Sequence, residues 1–77
     1  MIMSLADVLK MTRQKAFMTQ DVFAKEMNVS VITVKRWETG KCRPNLSAMK
    51  KLKSFCDSNN LPYEDVEKAW FHVEQQQ

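Results

Sequence analysis

QDVFAKEMNVSVITVKRW, residues 20–37, is the stretch that decides the fold. Its apolar residues recur at helical spacing in two short runs joined by only three or four residues, so two helices must cross steeply. Ala24 is small where the backbone of the first helix would otherwise collide with the second. Asn28 falls at the tight turn, where a left-handed backbone is needed and asparagine is the best choice after glycine. Val29 and Val34 close the apolar wedge, and Trp37 seals it.

Outward from this pair the punctuation is sparse, one Gly and two Pro, and it falls between periodic segments. Helices are therefore predicted throughout. Ser4, followed by Asp7, caps a first helix running to about Phe17, with Leu5, Leu9, Thr12 and Ala16 on one face. Thr19 caps the helix from Gln20 to Met27, whose Phe23, Ala24 and Met27 point inward. Ser30 caps Val31 to Thr39, and Gly40 ends that helix where a left-handed residue is wanted. Pro44-Asn45 opens a fourth helix through about Cys56, with Leu46, Met49, Leu52 and Cys56 as its buried stripe. After the break at Asn59-Asn60-Leu61-Pro62, a fifth helix over about Tyr63 to Gln75 carries Val66, Ala69, Trp70 and Val73. The predicted class is all-α with five helices.

The chain has 77 residues, of which 44% are hydrophobic and 27% charged, room for one small domain over residues 1–77. No apolar run approaches the roughly 18 residues of a membrane span, and the opening Met-Ile-Met-Ser lacks the charge and length of a signal peptide. Cys42 and Cys56 have no further thiol or histidine at ligand spacing, so free thiols in a reducing cytoplasm are expected, without metal or cofactor. Charge is unevenly placed. Residues 35–53 hold Lys35, Arg36, Lys41, Arg43, Lys50, Lys51 and Lys53 against Glu38 alone, whereas residues 54–77 are net acidic. Such a concentration suits a polyanion-binding surface; the competing reading is a solvated basic face without a ligand.

In the motif Thr19-Gln20, Ala24, Val29-Ser30, Val34, Trp37-Glu38 and Gly40-Lys41, together with the helix after Pro44, the chain resembles the lambda-repressor/Cro-like helix-turn-helix DNA-binding family over roughly residues 4 to 66. The resemblance implies a five-helix domain in which the second and third helices form the helix-turn-helix. Two positions depart from the family pattern. Phe17 and Asn28 stand where glycine is common, and a bulky residue resists positive φ, so the first turn is expected to be built differently. Neither position is expected to touch the DNA-reading surface.

On a helical wheel with Val34 at zero, Trp37 and Ser30 lie within about 60°, while Ile32 and Arg36 point away at roughly 160° and 200°. Lys35 and Thr33 flank them, and Val31 sits on the border. In the family the start of this helix enters the major groove. There an aliphatic side chain packs on a thymine methyl and arginine bonds guanine, which gives the exposed Ile32 a purpose beyond that of a stray apolar residue. The resemblance also makes Gln20 a phosphate ligand and a brace for the base-reading side chains, and sets Lys41, Arg43 and Asn45 against backbone phosphates. Lys50, Lys51 and Lys53 are read as a solvated face adding long-range attraction. Glu38, near 40° and close to the core, needs a partner; the matching family position pairs with an arginine on the first helix, which here is Arg13.

The expected function is a sequence-specific, non-enzymatic transcriptional regulator of repressor/Cro type that binds duplex DNA in a prokaryotic or phage-type cytoplasm. The only histidine, His72, is isolated and no nucleophile has a base at readable spacing. Dimerisation is expected through Trp70, Phe71 and Val73, apolar surface beyond what a four-helix core needs; alternatively Trp70 plugs the core and Phe71 is merely exposed. The rival function is an antitoxin or accessory protein whose C-terminal helix binds a protein partner, with DNA binding as autoregulation.

Overall fold

The computed structural model describes residues 3–75 and contains five helices: α1 (Leu5–Lys15), α2 (Gln20–Met27), α3 (Val31–Glu38), α4 (Leu46–Ser58) and α5 (Glu64–Gln75). No strand occurs among the described residues. The first four helices start on a side-chain cap that occupies an otherwise unpaired amide. Ser4 accepts from Asp7 N, Thr19 from Val22 N, Ser30 from Thr33 N and Asn45 from Ala48 N. Helix α5 instead opens with Glu64, Asp65 and Glu67 at its positive end.

The same four helices also end alike. Each closes on one residue of positive φ, whose amide bonds three residues back while the next amide reaches five back. At the end of α2, Asn28 N bonds Lys25 O and Val29 N bonds Ala24 O; Gly40 and Asn60 do the same after α3 and α4. Phe17 fills this role after α1, at φ 58°, which corrects the expectation that a bulky residue forces a different turn. The turn holds because Phe17 N bonds Gln14 O, Met18 N bonds Arg13 O, and Met18 packs inward against the core.

Core packing follows the predicted stripes with two changes. Leu9, Phe23, Met27, Val34, Leu52, Cys56 and Val66 are sealed from solvent, with Phe23 and Phe55 edge to face at 4.9 Å. Phe55, absent from the predicted stripe of α4, is therefore central. Leu46, predicted to be buried, is 69% exposed. As the first residue of α4 it lies to the side of the arc formed by Ala48, Met49, Leu52, Phe55 and Cys56.

Trp70 carries a further correction. It is buried at the end of the core, donates from Nε1 to Pro44 O at 2.7 Å, and lies under the Arg43 guanidinium at 4.2 Å. Its surface is used within the monomer and is not left over for a dimer. Phe71, edge-on to Trp70 at 5.1 Å, remains half exposed. The side chain of Val73 lies outside the described residues.

Candidate nucleic-acid interface

Helix α3 buries Val34 and Trp37 and turns the opposite side out. Ile32 is 60% exposed there, beside exposed Lys35 and Arg36. Ser30 and Thr33 sit at the start of the helix with their hydroxyls 2.9 Å apart, the Ser30 oxygen also capping Thr33 N. Val31 is half buried and packs against the core, so only part of it is available outward.

The opposite end of α3 is fixed by an ionic cluster. Arg13 donates from Nε to Glu38 Oε2 at 2.7 Å and from Nη2 to Oε1 at 3.0 Å, while its Nη1 donates to Met18 O. The hydrogen-bonded carboxylate raises the pKa of the Arg13 guanidinium, against the opposing effect of partial burial. Gln20 joins this cluster: its Nε2 donates to Glu38 Oε1 at 3.1 Å. The first residue of α2 is thus braced against the end of α3. That differs from the expected brace onto the base-reading side chains, because the buried carboxylate offers the stronger acceptor.

The basic run of residues 35–53 does not form one uniform face. Lys35, Arg36, Lys41 and Lys50 are exposed. Lys51 donates to Asn28 O at 3.3 Å, across the turn between α2 and α3. Lys53 lies 3.7 Å from Asp57 and 5.7 Å from the Tyr63 ring, on the side of α4 that faces α5, and stays exposed. Arg43, expected on the phosphates, turns toward α5: beyond its stacking on Trp70, Nη1 donates to Trp70 O at 3.2 Å. A delocalised guanidinium over an indole is favourable enough to hold it there. Nothing in the sequence announces this pairing, which spans 27 residues. Asn45 uses its Oδ1 to cap α4, leaving its amide nitrogen as the end able to donate outward.

The structure therefore brings Ser30, Ile32, Thr33, Lys35 and Arg36 together on α3, with Lys41 following and Gln20 at the head of α2. Among the described residues no cluster of His, Cys, Asp and Glu could hold a metal ion, and no helix is long and apolar enough to cross a membrane. A groove of about 420 Å³ between α1 and α5, lined by Met3, Val8, Met11, Leu61, Pro62 and Ala69 among others, shares no residue with this surface. The family model described as helix-turn-helix matches residues 9–63, more than half of the chain. No curated protein and no solved structure matches it.

Proposed function

Because the chain belongs to the lambda repressor/Cro-like helix-turn-helix family of DNA-binding regulators, we propose that it is a sequence-specific transcriptional regulator of repressor/Cro type, reading the major groove with α3. The observation that carries this is the outer face of α3, where exposed Ile32 lies between exposed Lys35 and Arg36. Ile32 would pack on thymine methyl groups and Arg36 would bond guanine N7 and O6. Lys35, Lys41, Asn45 and Gln20 would engage phosphates and fix the register. The role is binding without bond chemistry, by one domain spanning residues 1–77, in a prokaryotic or phage-type cytoplasm.

One reading helix covers too few base pairs to select a genomic site, so we place two copies on half-sites one turn of DNA apart. With Trp70 enclosed, Phe71 is the exposed large apolar residue among the described side chains of α5, and it supports pairing. A second reading, a protein partner on α5, draws support from the groove between α1 and α5. Selection of bound duplexes from a randomised pool tests the DNA role, with enrichment of a two-fold symmetric site as the expected result. Sedimentation on that duplex decides between the two readings: a dimer is expected, and a chain that stays monomeric there favours the protein-partner reading.

A further inference from the structure

We propose that Phe17 is a DNA-contacting residue of this chain, its ring held against the sugar edges of the duplex backbone beside α2; the inference rests on the DNA-binding role above. The four turns that follow α1 to α4 share one hydrogen-bond pattern and one left-handed residue, at φ 58° for Phe17, 56° for Asn28, 76° for Gly40 and 59° for Asn60. Glycine and asparagine tolerate this conformation, whereas an aromatic residue is strained in it. Phe17 gains nothing in return within the chain. It is 96% exposed, and the inward contact of its turn is made by Met18. A glycine would make the same backbone bonds, so the fold itself gives no reason for a phenyl ring at this position.

The ring's location supplies the reason. Its turn leads through Thr19 into Gln20, the residue braced on Glu38. Arg13 grips both Glu38, at the end of α3, and Met18 O, next to Phe17. The turn and the reading helix are therefore tied to one guanidinium, and Phe17 is presented at a fixed position relative to α3 and loses little freedom on contact. Its immediate neighbours, Ala16 and Met18, pack inward against the core, and the residues beyond them are polar: Gln14, Lys15, Thr19 and Gln20. Lys15 is exposed. A single apolar ring between a lysine and an amide fits a backbone strand, where anionic phosphates alternate with apolar sugar faces, better than it fits an apolar protein patch. This extends the DNA-facing surface to a position not expected to touch it.

Fluorescence anisotropy with a duplex selected by the wild-type chain, and with a mixed-sequence duplex of equal length, tests the assignment. Covering half a phenyl ring corresponds to about a three- to tenfold change in affinity. Phe17→Gly should weaken binding to both duplexes by that factor, with an unchanged salt slope because no charge is lost, while its melting temperature rises. Phe17→Leu should retain most of the affinity. Opposite signs for stability and binding cannot come from a merely structural role. Phe17→Gly binding within twofold of wild type overturns the inference alone; a wild-type chain that binds neither duplex overturns it together with the DNA-binding role.

Discussion

Arg13 meets Glu38 edge to edge, two parallel hydrogen bonds of 2.7 and 3.0 Å joining a guanidinium and a carboxylate whose side chains are only 11% and 4% exposed. Removing one partner strands the other in a site with little water. Glu38→Ala should cost about 3–5 kcal/mol in chemical denaturation, and the paired change Arg13→Met with Glu38→Leu should recover much of it. An unchanged melting temperature in Glu38→Ala would show that the pair contributes nothing.

Duplex binding should weaken steeply with salt, since Lys35, Arg36 and Lys41 are exposed and would displace counterions. Arg36→Ala and Ile32→Ala should relax discrimination by about 1–3 kcal/mol at particular base pairs. Lys41→Ala should weaken all sequences alike. Unaltered specificity of Ile32→Ala across a randomised site library would remove α3 from the groove.

Trp70 and Phe71 should separate cleanly although they touch. Trp70→Ala empties part of the core and should cost about 3–5 kcal/mol. Phe71→Ala should cost a smaller amount, about 0.5–1.5 kcal/mol for the lost edge-to-face contact, yet abolish the dimer in sedimentation on a palindromic duplex. A Phe71→Ala chain that still dimerises would move the contact elsewhere.

The two thiols should differ in reactivity. Cys42 is exposed; Cys56 is sealed, and burial, with help from neighbouring Asp57, pushes its thiol pKa up. Near pH 8 an alkylating reagent should add once to the native chain, at Cys42, and a second time only in denaturant. Intact-mass spectra showing two rapid native adducts would contradict the sealed site.

What was legible in the residues was local or periodic. The bounds of α2 follow from a Thr19 cap and an Asn28 stop, both encoded within a few residues of the helix they limit. Arg13 and Glu38 were found because helical phase placed Glu38 near the core and the family pattern supplied its partner. Leu46 misled because periodicity does not say on which turn a stripe begins. Arg43 misled for a different reason: a cation in a basic run looks like its neighbours until the distant helix that claims it is folded in place.

The contacts of Trp70 with Arg43 and Pro44 also bear on how the protein is made. Synthesis runs from the N-terminus, so α1 to α4 leave the ribosome before Trp70 does. Until then the segment joining α3 to α4 lacks the indole that lies under Arg43 and donates to Pro44 O, and the core lacks Val66. A chain that ends before α5 thus carries α3 complete on an unsealed body, and the frame that holds α3 closes only when the fifth helix has packed.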